Sequence, residues 1–118
     1  MSDRNFRIDP DPKDMKPSSG TDASAFTGLD HTELNHRHYT SPDETVLAGT
    51  WQCAPCREVI ESYPVNEMMT VVSGAITLTH RDGRSESFGP GDTFYIAKGQ
   101  YVVWEITQTL RKMYMIVS

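Results

Sequence analysis

Two short motifs in this sequence combine residue types and spacings that could do chemistry. Cys53-Ala54-Pro55-Cys56 has the spacing of a redox dithiol, and His36-Arg37-His38 places two imidazoles one residue apart. Redox dithiols depend on a helix N-terminus in a thioredoxin-like fold, and no second cysteine pair completes a zinc site. We interpret the cysteines as incidental residues of a turn and the histidines as solvated or edge-strand side chains. A redox centre and a metal site are the alternatives.

Glu67 is the third candidate, on the condition that it faces an apolar interior to which Ile60, Met69, Val102 and Trp104 contribute. An ionised carboxylate in such surroundings is costly without a partner. Either its pKa rises, which would give a general acid/base, or a cation pairs with it. Lys112 and Tyr114 are candidate partners on the last strand. The alternation leaves open whether they or the intervening residues face inward: Met113, Met115 and Val117. A buried glutamate retained only for architecture is an equal alternative.

The elements that must position these side chains belong to one domain. The chain has 118 residues, 37% hydrophobic and 23% charged, which is enough for one modest core. The net charge of −5 argues against non-specific nucleic-acid binding, which needs a basic surface. No apolar run has the length of a membrane span, and the first residues do not resemble a secretory signal. We therefore expect a cytoplasmic protein with no membrane or nucleic-acid partner.

Composition divides the chain into an arm and a strand-rich part. Residues 1–24 are polar and contain Pro10, Pro12 and Pro17, so they predict an extended arm. We place the arm and its lead-in at residues 1–40 and the main domain at residues 41–118.

Turn signals recur every 8–12 residues in the main domain, and no convincing helical period is present. An apolar run over residues 68–72 is predicted to end at Ser73-Gly74, and an alternating strand follows over residues 75–80. Asp82-Gly83 predicts a hairpin, and a tight turn is predicted at residues 89–92. The pattern predicts an all-β sandwich or barrel.

Two spaced patterns resemble the motifs of the cupin superfamily. Glu67 followed after six residues by Gly74 resembles the second half of the first motif, and Gly91-Asp92 with Gly99 resembles the frame of the second. The sequence is similar to the small cupins grouped with ureidoglycine aminohydrolase and the ethanolamine-utilisation cupin. The segments that carry this likeness are Gly49-Thr50-Trp51, Glu67, Gly74, Asp82-Gly83, Phe88-Gly89-Pro90-Gly91-Asp92, Lys98-Gly99, Trp104-Glu105 and Arg111-Lys112.

The resemblance implies a cupin-type double-stranded β-barrel, or jelly roll, preceded by the extended arm. It also implies three metal-binding histidines, but their positions hold Ile60, Ser62 and Val102. Of the four customary ligands only Glu67 remains, and one carboxylate does not hold a transition metal tightly. We therefore expect no metal site and no cofactor; the alternative is a transition-metal site completed by another side chain, such as Glu58 or His80.

The resulting functional hypothesis is a metal-depleted pocket that binds a small polar metabolite. Its predicted lining is Trp51, Ile60, Ser62, Glu67, Met69, Val102, Trp104, Lys112 and Tyr114. One alternative is an aminohydrolase-like or isomerase-like enzyme with Glu67 as the catalytic acid/base. Another is a structural or regulatory dimer. We also expect a homodimer, because pairing covers open strand edges; a monomeric mass by light scattering would contradict this.

Overall fold

The computed structural model describes residues 5–118. Within that range the chain forms eight β-strands and one turn of 3₁₀ helix, Ala23–Ala25. The strands are β1 (Lys16–Pro17), β2 (Glu33–Thr40), β3 (Val46–Cys53), β4 (Cys56–Ile60), β5 (Asn66–Thr79), β6 (Ser85–Phe88), β7 (Thr93–Ile96) and β8 (Val102–Val117). The prediction of an all-β fold is confirmed. None of the helical structure in the described range is long or apolar enough to cross a membrane.

All strand pairs are antiparallel, and the long strand β8 organises them. The sheet order is β1-β2-β3-β8-β5-β6, with β4 also bonded to β8 and β7 to β5. The first part of β8 pairs with β4, its last part pairs with β3, and β5 follows it along nearly its whole length. This arrangement curls the sheet around one apolar interior, whose fully buried members include Met69, Val71, Ile76, Ile106 and Leu110.

One prediction about strand boundaries was wrong. Ser73-Gly74 does not end a strand, because β5 runs continuously from Asn66 to Thr79. Gly74 has a φ of 87°, and the register with β8 shifts on either side of Ser73. The positive φ therefore produces bulges within a strand here, rather than a turn between two strands. The Asp82-Gly83 hairpin does form between β5 and β6.

Alternation along β8 decides which side chains face the interior. Val102, Trp104, Ile106, Leu110, Lys112 and Tyr114 are all buried. Met115 and Val117 are 41% and 40% exposed, so the alternate set faces outward at the end of the strand. The ambiguity in the sequence is thereby resolved in favour of Lys112 and Tyr114.

The N-terminal arm is bonded to the barrel. Its strand β1 pairs with β2, and the backbone amide of Ser18 donates to the carbonyl of Glu33. Nearer the N-terminus of the arm, the Asp11 carboxylate accepts a hydrogen bond from Arg111 on β8 over 2.7 Å. The predicted boundary at residues 40 and 41 falls at the end of β2, which is hydrogen-bonded to β3 in the same sheet.

Candidate functional site

A buried ion pair lies at the centre of the candidate site. Lys112 Nζ on β8 donates to Glu67 Oε2 on β5 over 2.7 Å, and each residue is only 5% exposed. The ammonium also donates to Met69 Sδ at 3.2 Å. Of the two outcomes expected for Glu67, the structure shows the second, in which a cation pairs with the carboxylate.

The other oxygen of Glu67 is held by Tyr63. The phenol donates to Glu67 Oε1 over 2.7 Å, and Tyr63 is itself buried between β4 and β5. Burial raises the pKa of Tyr63, and the negative charge and hydrogen bond of Glu67 raise it further. Tyr63 therefore stays protonated and serves as a fixed donor. Both carboxylate oxygens of Glu67 are engaged by the protein.

Aromatic rings surround the ammonium of Lys112. Its Nζ lies 4.7 Å from the centre of the Trp51 ring, 4.8 Å from that of Trp104 and 5.8 Å from that of Tyr114. The two indoles meet edge to face, with centroids 6.2 Å apart. Ring faces attract cations, and the attraction grows when water is excluded. The rings therefore stabilise the same positive charge that Glu67 stabilises.

Glu33 connects the arm to this group of residues. Its carboxylate accepts hydrogen bonds from Ser18 Oγ, from the amides of Gly20 and Thr21, and from the indole of Trp51, over 2.8–3.1 Å. Burial alone would raise the pKa of Glu33, but the hydrogen bonds from Thr21, Trp51 and Ser18 outweigh it and lower the pKa. One carboxylate thus holds the arm down and orients one of the indoles.

Protonating Glu33 should loosen the arm. The pKa of Glu33 is lower in the folded protein than its ordinary value of 4.5. Its contribution to the stability of the fold is therefore complete above pH 4.5 and is lost as the pH falls through the folded pKa. We expect the Trp51 indole N–H resonance to titrate below pH 4.5. In Glu33→Gln we expect this titration to vanish and the exchange protection of the Gly20 and Thr21 amides to fall about tenfold at neutral pH. The Trp104 indole is the internal control. Unchanged protection in Glu33→Gln would contradict this role.

Two adjoining cavities open beside the ion pair. The arm cavity, about 270 Å³, has a polar wall that includes Ser18, Asn35 and Arg37. The tryptophan cavity, about 440 Å³, is lined in part by Trp104 and Glu58. The cavities share the lining residues Gly20, Glu33, Trp51, Glu67, Lys112 and Ile116.

Glu58 is a second carboxylate on the wall of the tryptophan cavity. Burial raises its pKa, and the negative charges of Asp22 and Glu33 raise it further. This cavity therefore carries a negative field that is only partly balanced by Lys112.

Most of the predicted lining residues meet at these cavities. Trp51, Ile60, Glu67, Trp104, Lys112 and Tyr114 line one or both, and buried Met69 contacts the ammonium. Two residues lie elsewhere. Val102 is packed in the core and lines a separate cavity with Leu78, whereas Ser62 is exposed after the end of β4 and lines neither site cavity.

Two groups of the site were missed in the sequence: the carboxylate of Glu33 and the phenol of Tyr63. Tyr63 and Glu67 are four residues apart, a spacing that gives no sign that the phenol and carboxylate meet. Glu33 precedes the predicted main domain, and all its partners except Trp51 belong to an arm whose packing no periodicity reveals.

A cupin-type transition metal does not fit these residues. Glu67, the one customary ligand that the chain keeps, already accepts hydrogen bonds from Tyr63 and from the ammonium of Lys112. No three His, Cys, Asp or Glu side chains converge as a metal site within residues 5–118. The positive charge beside the carboxylate is instead supplied by the chain itself.

The histidines and the cysteines of the two sequence motifs line neither site cavity. His36 and His38 lie on β2 against the arm, where His36 Nδ1 is 2.9 Å from Asp14 Oδ1 and the Asp9 amide donates to His38 Nε2. Cys53 and Cys56 flank the turn between β3 and β4 and are fully buried free thiols. The hydrogen bond between them raises the pKa of Cys53, as does burial, and lowers that of Cys56.

Comparisons with known proteins agree on the fold. A family model described as the EutQ-like cupin domain matches residues 40–114. A structure from Pseudomonas syringae pv. tomato, of unknown function, has a TM-score of 0.82 at 24% identity over 93% of this chain and 46% of its own. This chain thus spans about half the length of that protein. A Salmonella typhimurium structure described as an ethanolamine utilization protein Q has a TM-score of 0.63 at 20% identity, covering 88% of this chain and 94% of its own.

The EutQ protein of Clostridium difficile has a TM-score of 0.61 at 18% identity, covering 74% of this chain and 68% of its own. No curated protein matches the chain. The predicted cupin barrel is confirmed by these structures, which at such identities carry the fold alone.

Proposed function

This chain belongs to the family of EutQ-like cupin domains, and we propose that it binds a small polar molecule in the arm and tryptophan cavities. The observation that carries the proposal is the position of the Lys112–Glu67 pair, which lies on the wall shared by both cavities. Binding pockets combine apolar walls with a few well-placed polar groups. Here Trp51 and Trp104 supply the flat apolar surface.

The polar groups of the arm cavity support a ligand with hydroxyl or carbonyl oxygens. The amide of Asn35 accepts a hydrogen bond from Tyr114 over 2.7 Å, and Arg37 contributes a guanidinium to the wall. Lys112 has three N–H donors, of which Glu67 and Met69 take two. The third N–H and these side chains give a ligand several donors within one small volume.

Binding is better supported than direct acid/base catalysis by Glu67. A general acid or base must reach a substrate proton within hydrogen-bond distance. In this structure Tyr63 and Lys112 occupy both oxygens of that carboxylate. We therefore assign Glu67 the role of fixing the ammonium that faces the ligand; its Oε2 can act on a bound compound only after a proton has passed to it from Lys112.

A thermal-shift screen of small polar compounds tests the proposal. We expect a compound that raises the melting temperature of the wild type but not of Glu67→Gln, because the variant no longer fixes Lys112 by an ion pair. The matched control is Glu86→Gln, a change of the same type at an exposed carboxylate that lines neither site cavity. Equal stabilisation of all three proteins by every active compound would contradict the proposal. Turnover of the compound would favour the catalytic alternative.

A further inference from the structure

Lys112 differs from the other lysines of this chain in its surroundings. Lys13, Lys16 and Lys98 are exposed, whereas Lys112 is 5% exposed and its Nζ faces a carboxylate and two indole rings. The same residue lines both site cavities, so a small ligand in either one lies against it. A lysine amine becomes a nucleophile for carbonyl compounds when an adjacent base takes its proton, and Glu67 is such a base for Lys112.

We propose that Lys112 forms a reversible imine with a small uncharged aldehyde or hydroxyketone bound in the tryptophan cavity; this inference rests on the proposed function and names its ligand class. Glu67 Oε2, 2.7 Å from Nζ, takes a proton from the ammonium. The nitrogen lone pair then attacks the carbonyl carbon, forming a C–N bond, while the carbonyl π pair moves to oxygen. The oxygen takes one of the two protons left on the nitrogen, which gives a neutral carbinolamine.

The resulting carbinolamine loses its hydroxyl group as water when the proton on Glu67 is returned. Overall, one ammonium and one carbonyl compound give one protonated imine and one water. No electrons are exchanged, so neither an oxidant nor a reductant is needed. Glu67 acts on the lysine and on the departing water, and Tyr63 holds the carboxylate in place from its other oxygen.

The surroundings of Nζ do not oppose the overall exchange, because charge is conserved. Ammonium and protonated imine each carry one positive charge, so the attraction of Glu67 and of the rings of Trp51 and Trp104 is retained in the product. Water is largely excluded from the buried nitrogen, which disfavours hydrolysis of the imine once it has formed.

The charge of the tryptophan cavity selects the class of carbonyl compound. Its wall carries the carboxylates of Glu33, Glu58 and Glu67 against the single ammonium of Lys112. An anionic oxo acid would be repelled by two carboxylates whose charge the lysine does not balance. An uncharged hydroxyaldehyde would not be repelled. The indole faces and the nearby hydroxyl and amide groups suit a short hydroxylated chain.

Reductive trapping of the wild type tests the inference. The protein is incubated with glycolaldehyde and cyanoborohydride, digested, and analysed by peptide mass spectrometry. We expect labelling of Lys112 to exceed that of exposed Lys98 by about tenfold, although accessibility alone would give the opposite order. Above the urea unfolding midpoint this preference should disappear. Labelling of Lys112 no faster than Lys98 in the folded protein would overturn the inference.

Variants and a second probe extend the test. Glu67→Gln should lower the labelling of Lys112 about tenfold and leave Lys98 unchanged. Lys112→Arg keeps the charge and should bind ligand without forming an adduct at position 112. Anionic glyoxylate should label Lys112 about tenfold more slowly than glycolaldehyde. Equal rates for the two probes would overturn the assigned ligand class.

The two proposals fail in distinguishable ways. Ethylene glycol, the carbonyl-free counterpart of glycolaldehyde, reports occupancy of the cavities in the thermal-shift assay without covalent chemistry. If Lys112 is not trapped but a carbonyl-free compound stabilises the wild type over Glu67→Gln, the imine is wrong and the binding function stands. If neither result is obtained, both are wrong.

Discussion

Replacing Lys112 by methionine should lower the free energy of unfolding by about 3–5 kcal/mol, because the change leaves the Glu67 carboxylate buried without its cation. Methionine retains most of the side-chain length, so lost packing contributes little. Tyr63 still donates to one oxygen, but one neutral donor does not replace an ammonium at 2.7 Å. Urea unfolding followed by circular dichroism measures the effect.

The double variant Glu67→Gln/Lys112→Met separates the charge from the packing. Removing both charges eliminates the unpaired carboxylate, so we expect the double variant to recover most of the stability lost in Lys112→Met. The matched control is the exposed pair Arg81–Glu61, whose nitrogen and oxygen are 3.4 Å apart and whose side chains are 70% and 76% exposed. Glu61→Gln should change stability by less than about 1 kcal/mol. If Lys112→Met lost no more stability than Glu61→Gln, the buried pair would contribute no more to stability than an exposed pair.

The second large effect is expected at Gly74. Its φ of 87° disfavours any residue with a Cβ, and a Cβ at this position would collide with the carbonyl oxygen of Thr109 on β8. Gly74→Ala should therefore cost about 1–2 kcal/mol for the left-handed backbone. Moving β5 away from β8 to make room for the methyl group should lower the free energy of unfolding by a further ~1–3 kcal/mol.

Gly83 supplies the control for Gly74, because it has a φ of 92° and no atom within 4 Å of the position of an added Cβ. Gly83→Ala should show only the backbone cost, about 1–2 kcal/mol. The midpoints of urea unfolding of the two variants measure the difference. Equal destabilisation would mean that the close approach of β5 and β8 is not what requires a glycine at position 74.

How far the sequence predicts this molecule depends on which forces act locally. The turns at Gly91 and Gly99 are predicted correctly because glycine adopts a positive φ without steric cost. Both glycines have φ near 90°. Gly74 shows the limit of the same reasoning. The sequence predicts that a strand ends at Ser73-Gly74, but pairing with β8 continues through bulges on either side of Ser73.

The site was less predictable because its charges are paired across strands. Alternation alone did not decide whether Lys112 or Met113 faces inward; the carboxylate of Glu67 on β5 supplies a partner for an inward lysine. The contributions of Glu33 and Tyr63 depend on tertiary contacts that no spacing encodes. The binding role of the predicted lining residues remains a prediction.

The three-way pairing of β8 has a consequence for how the chain acquires its structure. β3, β4 and β5 precede β8 in the chain, yet each needs β8 as a hydrogen-bonding neighbour. During synthesis these earlier segments therefore leave the ribosome with their central partner still missing. Closing such long loops is entropically slow, so we expect folding in milliseconds to seconds after β8 emerges. Until then the apolar residues of β5 are exposed, so we expect the newly made chain to be most prone to aggregation in that interval.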